Sequence, residues 1–310
     1  MTQWQIQASG KAVLSGEYAV LWGGAAIALP VGQARARRLI SDDRSAFRVS
    51  LKPFGLVVRG SRSSAVAELD GAQGVADGFA RMWNAALELW GKPAGMAECD
   101  YEIDSSELYR PDGTKWGWGS SGAAKALLVH LWFEGRLDVT TAHLRVRALE
   151  QALGAGGSGI DSAVSLAGSV LHYTMQGFRA AQARGVQAYW IALPESVKTE
   201  TRVSAVLQAV APAERRGLLD GARHTATAYH LGSYSQWLQA LSHYDRLLDG
   251  VLLPLGLARF DKHVNAIQQT LGSDWYVRPS GAGGDGVLAI PAHSAAPMPM
   301  LDLPTAPVTL

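Results

Sequence analysis

A short stretch rich in glycine and serine, Lys115–Ala123 (KWGWGSSGA), has the residue types that bind phosphate groups. Glycines let the backbone turn sharply and approach a ligand closely. The run of helix-forming residues that follows, Ala123–Trp132, would direct its free N–H groups and positive dipole end at the loop. The serine hydroxyls could add ligands for Mg²⁺, which prefers oxygen donors. Because the stretch differs from the P-loop pattern GxxxxGK[ST], a linker followed by a helix cap is the more ordinary explanation when it is taken alone.

Two further residues whose side chains could take part in catalysis also follow glycines. Lys11 comes directly after Ser9-Gly10, where its ammonium group could reach a transferring phosphoryl group, although a lysine there is otherwise usually solvated. Asp161 follows the glycine-rich turn Gly154–Gly159 and opens a predicted helix, so it is either a helix cap or a carboxylate available for chemistry. A third glycine-rich stretch, Arg278–Gly286, lies between two predicted strands. If these distant loops form one site, the fold must bring them together.

The spacing of apolar residues predicts the elements that would position these loops. The predicted helices are Gly74–Trp90, Gly122–Glu134, Asp138–Leu153, Ile160–Leu166, Ala213–Leu231, Ser235–Leu248 and Leu257–Thr270. The predicted strands are Trp4–Ala8, Val13–Ser15, Phe47–Val58, Met96–Ile103, Ser169–Met175, Val186–Leu193, Trp275–Val277 and Val287–Ile290. We interpret Gln176–Gly185 as a connector and the Pro/Ala-rich tail Ala292–Leu310 as loosely held.

Composition narrows the classes of protein. The chain has 310 residues, of which 48% are hydrophobic and 18% charged, so it can bury a sizeable core in one large or two smaller domains. A net charge of +1 argues against binding to nucleic acid or to a membrane surface through bulk charge. Cys99 is the only cysteine, which excludes an internal disulfide and a zinc cluster. With no signal peptide or membrane span visible, we expect a soluble cytoplasmic protein.

Four motifs, taken in chain order, resemble those of the GHMP-superfamily kinases, and within them most those of the phosphomevalonate kinases. Ala8–Val20 contains ASGK and GEYAV, where the family has APGK and GEYAV, and Asp112–Ala123 (DGTKWGWGSSGA) resembles DGxKYGLGSSGA. Gly157–Asp161 (GSGID) resembles GSGxD, and Arg278–Asp285 (RPSGAGGD) resembles KPSGAGGGD. Each motif alone is moderately specific, but the four occur in the family's order over nearly the whole chain.

The resemblance implies a fold and an activity. The fold would be α+β, the GHMP kinase fold, with a ribosomal-S5-like nucleotide-binding domain over residues 1–180 and a ferredoxin-like domain over residues 181–310. The activity would be ATP-dependent phosphorylation of 5-phosphomevalonate to 5-diphosphomevalonate, in the synthesis of isoprenoid precursors. Three alternatives stay open: a mevalonate kinase, a GHMP kinase for another small acid or sugar, and a catalytically silent binding homologue.

The resemblance also implies roles for individual residues. Lys11 and Asp161 would be catalytic, and ATP and Mg²⁺ would be the cofactors. The residues expected to bind the nucleotide are Lys115, Gly117, Trp118, Gly119, Ser120, Ser121, Gly122 and Ala123. Those expected to bind the substrate are Glu17, Tyr18, Ser158, Gly159, Ser280, Gly281, Ala282, Gly283 and Asp285. Ser121 and Glu150 would be ligands of the metal.

The chemistry of the acceptor separates the two nearest kinase interpretations. A mevalonate-type acceptor is an alcohol, which needs help to lose its proton, whereas 5-phosphomevalonate is a phosphate monoester with a second pKa of about 6 and is mostly ionised at neutral pH. For the phosphate acceptor, cations that offset repulsion matter more than a base, so Asp161 would mainly orient Lys11 and balance its charge. We expect one small-molecule substrate, no nucleic acid or membrane partner, and a monomer or homodimer.

Overall fold

The structure is a computed structural model of the chain, and it describes residues 5–40, 47–60, 65–68, 73–91, 93, 99–194, 199–257, 262–281, 285–293, 298–299, 301 and 303–310. The strands are β1 (Gln5–Ser15), β2 (Ala26–Ile40), β3 (Phe47–Lys52), β4 (Leu56–Gly60), β5 (Ala65–Glu68), β6 (Cys99–Asp104), β7 (Leu171–Thr174), β8 (Gly177–Ala180), β9 (Gln187–Ala192), β10 (Trp275–Pro279), β11 (Gly286–Pro291) and β12 (Thr305–Thr309). The α-helices are α1 (Gln73–Trp90), α2 (Ser120–Trp132), α3 (Val139–Ala152), α4 (Ile160–Ala167), α5 (Thr199–Ala209), α6 (Pro212–Leu231), α7 (Tyr234–Leu252) and α8 (Lys262–Leu271).

The chain divides into two compact units. Unit 1 comprises Met1–Gly10 and Gly32–Gly168, and unit 2 comprises Lys11–Val31 and Ser169–Leu310. This division differs from a single boundary at residues 180 and 181, because the early segment Lys11–Val31 belongs with the later part of the chain. The assignment of the two predicted domains to ribosomal-S5-like and ferredoxin-like folds remains a prediction.

Unit 1 combines a sheet with four helices. Its strands follow the order β5, β4, β3, β6 and the later part of β2. The β3–β6 pair is parallel, and the other neighbouring pairs are antiparallel. Helices α2, α3 and α4 pack on one another, and α1 packs on α3 and on strands β4 and β5.

The sequence explains why the helices of unit 1 take their places. In α1, the residues Phe79, Trp83 and Ala86 are buried and recur at helical spacing, which gives the helix one apolar face. In α2, apolar residues are buried almost all round, including the consecutive Leu127, Leu128 and Val129, so this helix is central to the unit. Asp138 caps α3, since its carboxylate accepts a hydrogen bond of 3.0 Å from the Thr141 N–H.

Unit 2 contains an antiparallel sheet with strands in the order β10, β11, β9, β12. The hairpin β7–β8 pairs through β7 with the first residues of β2. Helices α6 and α7 pack together, and α8 packs on β10. One apolar cluster joins Tyr18 and Ala19 to residues of α5, α6 and α7, such as Val206, Leu218 and Tyr244. This packing explains why the segment Lys11–Val31 belongs to unit 2.

Several local predictions differ from the structure. The two predicted strand pieces around Gly10 form one strand, β1, so Lys11 lies within a strand instead of after a tight glycine turn. The single strand predicted over Phe47–Val58 is a hairpin, and the predicted connector contains β8. The tail contributes β12, whose Pro307 is tolerated because the strand lies at the edge of the sheet. Within the described residues, no helix combines the length and apolar character needed to cross a bilayer.

Candidate active site

In unit 1, the glycine- and serine-rich loop leads directly into α2. Gly117 and Gly119 have φ angles of 82° and 71°, in the left-handed region that favours glycine. Gly119 is the residue before the helix, and its carbonyl accepts hydrogen bonds from the N–H groups of Gly122 (2.9 Å) and Ala123 (3.2 Å). The first N–H groups of α2 therefore open onto this loop, as a helix start does. The Ser121 side chain is exposed there, and Ser120 is half-buried.

The residues before these glycines form a compact turn. Tyr109 and Lys115 form an isolated antiparallel bridge, and Asp112 binds the N–H and hydroxyl of Thr114 at 2.9 and 2.5 Å. These bonds hold the pKa of Asp112 below its usual value. Lys115 is exposed at the base of the turn. The Tyr109 hydroxyl lies 3.4 Å from the Ser120 hydroxyl, which links the turn to the start of α2.

Trp118 anchors the loop in the body of unit 1. Its side chain is buried, and a Cβ on Gly32 would meet its ring at 2.9 Å, so glycine is needed at that position. Trp116 stacks on Trp118 with ring centroids 5.1 Å apart and an angle of 12° between the planes. Because Trp118 is buried, the structure does not favour its predicted contact with the nucleotide. Trp116 is half-buried and is the more exposed ring of the stacked pair.

Asp161 lies against the start of α2. A Cβ built on Gly122 would come within 3.1 Å of the Asp161 Cβ and 3.6 Å of the Ser165 hydroxyl oxygen. Because 3.1 Å is tighter than ordinary contact, a side chain at position 122 would push the two helices apart. The close approach of α2 and α4 thus brings Asp161 next to the end of the glycine- and serine-rich loop, although the two are about forty residues apart in the sequence.

The turn that precedes Asp161 is held by residues of α3. The Gly159 carbonyl accepts a hydrogen bond of 3.0 Å from the Ser162 hydroxyl. The same oxygen also lies 3.0 Å from His143 Nε2. Arg147 donates to the Gly157 carbonyl at 2.9 Å, and its side chain covers Gly159, whose φ is 80°. Burial lowers the pKa of His143, so its imidazole is neutral near pH 7. The Ser158 hydroxyl accepts from the Ile160 N–H at 3.4 Å.

Glu150 is occupied by two cations. Its carboxylate is buried and receives Lys125 at 3.2 Å and Arg147 at 2.7 Å, one on each oxygen. Lys125 lies one helical turn after Ser121 on α2, so Glu150 is near the predicted metal ligand Ser121. Both carboxylate oxygens already have a charged donor, however, and no cluster of three or more acidic, His or Cys ligands occurs among the described residues. The metal role of Glu150 remains a prediction that this arrangement does not favour.

In unit 2, Lys11 meets the third glycine-rich stretch. The Ser280 hydroxyl accepts from the Val13 N–H and donates to the Val13 carbonyl, each at 3.0 Å. Gly281 has a φ of 63°, and a Cβ on it would lie 3.6 Å from the Lys11 ammonium nitrogen. Two residues predicted for catalysis and for substrate binding are therefore neighbours within this unit.

The rest of the third stretch is described only in part. Ala282 and Gly283 lie outside the described residues, so their predicted contacts with substrate remain predictions. Asp285 accepts a backbone hydrogen bond of 3.0 Å from Leu193 through its carbonyl, and its side chain is half-buried. The Ser280 N–H donates to the Gly286 carbonyl at 3.3 Å, which closes the loop between β10 and β11.

Glu17 and Tyr18, predicted to bind substrate, are buried at 4% and 3% exposure. The Glu17 carboxylate pairs with the fully buried Arg278, and the Tyr244 hydroxyl donates to the Glu17 carbonyl at 2.6 Å. Tyr18 has φ 61° and ψ −49°, and the Ala19 N–H donates to the Glu17 carbonyl at 2.7 Å, which makes a strained γ-turn. This burial favours a positioning role for both residues over direct contact with a ligand.

Sequence reasoning did not identify several supporting residues. His143 and Arg147 are one helical turn apart on α3, a spacing that could have indicated a common face directed at the Asp161 turn. Lys125 carries a charge within an otherwise apolar helix, which is a recognisable signal for a buried partner. Asp245 has no comparable signal, because its partner Arg278 is distant in the sequence.

No family model and no curated protein matches this sequence. The structure is similar to that of the Lin0012 protein from Listeria innocua, with a TM-score of 0.74 and 18% identity over 93% of this chain and 90% of that one. It is also similar to Streptococcus pneumoniae phosphomevalonate kinase in complex with phosphomevalonate and AMPPNP, with a TM-score of 0.72 and 16% identity over 93% and 92%. For Methanococcus jannaschii mevalonate kinase, the TM-score is 0.66 and the identity 14% over 94% and 90%. These likenesses confirm the predicted fold class, α+β with the fold of the GHMP kinases.

Proposed function

We propose that this chain, which has the fold of the GHMP kinases, transfers the γ-phosphoryl group of ATP to a small phosphorylated acceptor, 5-phosphomevalonate. The observation that supports it most is the close packing of α4 on α2, where a Cβ added to Gly122 would lie 3.1 Å from the Asp161 Cβ, at a helix start of the phosphate-binding type. The four ordered motifs and the likeness to a kinase structure solved with phosphomevalonate and AMPPNP give further support. Soluble, cytoplasmic action on a small molecule is part of the same proposal.

The start of α2 has the features of a nucleotide phosphate site. Its first N–H groups and its positive dipole end attract anions. The left-handed Gly117 and Gly119 carry no Cβ, so a phosphate can approach the backbone closely at these two positions. Phosphoryl transfer depends chiefly on positioning and on stabilising charge, so a rigid cradle of this kind supplies much of what the reaction needs. Exposed Lys115 would add a positive charge at the edge of the loop.

Mg²⁺ fits only part of its expected site. The exposed Ser121 hydroxyl suits an ion that takes oxygen ligands and keeps phosphate oxygens and waters. The Glu150 carboxylate does not fit in the same way, because Lys125 and Arg147 already bind its two oxygens. Mg²⁺ would neutralise phosphate charge when bound with ATP.

Lys11 and Asp161 would act on charge more than on protons. An ionised phosphate oxygen of the acceptor attacks the γ-phosphorus, forming a new P–O–P linkage, while the bond to the β-phosphate oxygen breaks and ADP leaves. Because two anions approach each other, a fixed ammonium group such as that of Lys11 lowers the barrier. The acceptor phosphate is mostly ionised at neutral pH, so Asp161 would serve charge balance and orientation rather than act as an obligatory base.

A coupled assay of ADP release with mevalonate, 5-phosphomevalonate and diphosphomevalonate in parallel tests the proposal. We expect turnover with 5-phosphomevalonate well above that with the other two acceptors. Preferred turnover of mevalonate would replace the assignment with a mevalonate kinase, the alternative that the likeness to mevalonate kinase structures also favours. Binding of ATP without turnover of any acceptor would indicate a different substrate or a silent homologue.

A further inference from the structure

A charge cluster is buried in unit 2 behind the strand that carries Lys11. Its centre is Arg278, whose side chain is 0% exposed. The guanidinium forms a two-pronged pair with Asp245, with Nε to Oδ2 at 2.9 Å and Nη2 to Oδ1 at 2.9 Å. The same Nη2 pairs with Glu17. The Tyr276 hydroxyl also donates to Asp245.

The remaining donor of Arg278 is directed at the backbone of β1. Nη1 donates to the Leu14 carbonyl and approaches the Val13 carbonyl at 3.5 Å. Two residues further along, the Ser280 hydroxyl binds both backbone groups of Val13 at 3.0 Å. The stretch from Arg278 to Ser280 is thus fixed to the segment of β1 that begins at Lys11.

The charges explain why this arrangement is rigid. Burial alone would lower the pKa of Arg278, but the charges of Asp245 and Glu17 raise it well above its ordinary value, so the guanidinium stays charged. Planar guanidinium donors fit a carboxylate with fixed geometry, which a lysine ammonium cannot reproduce. Removing one member would leave buried charges without partners, which is costly. Asp245 belongs to α7, so the cluster ties β1 to a long helix as well as to β10.

We infer that Arg278 is a positioning residue, which together with Asp245 and Glu17 fixes the backbone of Val13 and Leu14 and thereby sets the place of the Lys11 ammonium group. The inference rests on the proposed function in assigning Lys11 to phosphoryl transfer. Arg278 itself is too deeply buried to touch a substrate. Its effect on the reaction passes through Lys11, two to three residues from the carbonyls it binds.

The kinetic test compares Arg278→Lys with Lys11→Ala and with the double variant. Because a misplacement of about 1 Å can cost roughly 100-fold in rate, we expect Arg278→Lys to lower kcat by about 10- to 100-fold with a much smaller change in the KM for ATP. If Arg278 acts through Lys11, adding Arg278→Lys to Lys11→Ala should lower kcat by no more than about twofold. Multiplicative losses in the double variant would overturn the inference.

Arg184→Lys is the matched control. Arg184 is a second arginine of unit 2, partly buried, and it donates to the carbonyls of Ala228 (2.7 Å) and Gly232 (3.1 Å) at the end of α6. The Arg184→Lys substitution should lower the melting temperature without lowering kcat. An equal loss of kcat in Arg184→Lys would mean that Arg278 acts only through general stability. If Arg278→Lys does not fold, Asp245→Asn weakens the same pair while keeping its shape, and the same comparison applies.

A chemical measurement keeps this inference separate from the proposed function. The rate at which trinitrobenzenesulfonate labels Lys11, read from the peptide by mass spectrometry, does not require any substrate. We expect Arg278→Lys to change this labelling rate at least about threefold, because it alters the backbone that positions Lys11. Arg184→Lys does not affect that backbone and should leave the rate unchanged. An unchanged labelling rate in Arg278→Lys overturns the positioning role even if the kinase activity is found. Absence of kinase activity with altered labelling would refute the proposed function alone.

Discussion

Gly119 is the residue at which backbone conformation bears most directly on the proposed binding of the nucleotide. Its φ of 71° is strained for a residue with a Cβ, and it is the last residue before α2. Gly119→Val should displace the first N–H groups of the helix, each worth about 1.5–3 kcal/mol when bonded to a charged group. ATP affinity, measured by calorimetry, should therefore fall by roughly 10- to 100-fold.

Gly113→Val is the control for this substitution. Gly113 has a φ of 81°, and no atom lies within 4 Å of its Cβ position, so valine causes backbone strain there without reaching α2. Both variants should lose similar stability, about 1–2 kcal/mol, but only Gly119→Val should lose affinity. Equal affinity in both folded variants would remove this loop from the nucleotide site.

Lys11 and Asp161 differ in what their removal should do. Lys11→Ala removes a cation from the transition state and should lower kcat by about 10²–10³. Asp161→Asn keeps the shape of the side chain against Gly122 and removes only the charge. With an ionised phosphate acceptor it should retain measurable activity, with a weak pH dependence above about pH 7. A pH–rate series that shows near-complete loss at every pH, with both substrates still bound, would restore Asp161 as an obligatory base.

At the scale of elements, substitution of Glu150 distinguishes a metal ligand from a residue that only links helices through its two cations. Glu150→Gln leaves Lys125 and Arg147 without their counter-charge and loosens the link between α2, α3 and the turn before Asp161. We expect a loss of about 1.5–3 kcal/mol in the free energy of unfolding. The Mg²⁺ concentration that gives half-maximal activity should not change.

The exposed pair of Arg35 and Glu107 provides the control for that experiment. Its side chains are 43% and 46% exposed, so Glu107→Gln should cost less than about 1 kcal/mol. Denaturant unfolding of both variants, with Mg²⁺ titrations of their activity, distinguishes the roles. A markedly higher Mg²⁺ requirement in Glu150→Gln, without loss of stability, would support Glu150 as a metal ligand.

The elements also show where sequence reasoning was sufficient. Helices α1 and α3 were predictable because their signals are local: an apolar face in one and the Asp138 cap in the other. Strand β12 was not predictable from its Pro/Ala-rich sequence, because what orders it is pairing with β9. The Glu17–Arg278 contact joins residues 261 positions apart, and neither residue alone signals the other. Motifs identified the candidate residues, whereas the burial of each side chain depends on the fold and could not be read from the motifs.

At the scale of the whole molecule, four histidines link stability to pH. Burial lowers the pKa of His130, His143, His172 and His230, and for His172 and His230 nearby positive charge adds to the effect. His172 Nδ1 and His230 Nε2 are 2.9 Å apart, so both rings cannot be protonated without repulsion. Since the unfolded chain binds more protons below its histidine pKa of about 6.5, stability should be complete above that pH and decline as the pH falls.

The melting temperature should therefore decrease between pH 7 and pH 5.5, above the range in which carboxylates become protonated. His230→Gln removes one of the paired rings and should make this decrease shallower than in the unchanged chain. His243→Gln, a substitution at an exposed position of α7, is the comparison. An identical slope for His230→Gln and the unchanged chain would show that the pair does not contribute.

The Glu17–Arg278 pair has a consequence for how the chain is made. The two residues are separated by 261 positions, and ribosomes add about 5–20 residues per second, so Arg278 is synthesised roughly 13–50 s after Glu17. Throughout that interval the segment from Lys11 to Glu17 belongs to a nascent chain that still lacks the partner that fixes it. The arrangement in unit 2 that fixes the strand of Lys11 is therefore completed near the end of translation, and a chain that stalls before residue 278 cannot form it.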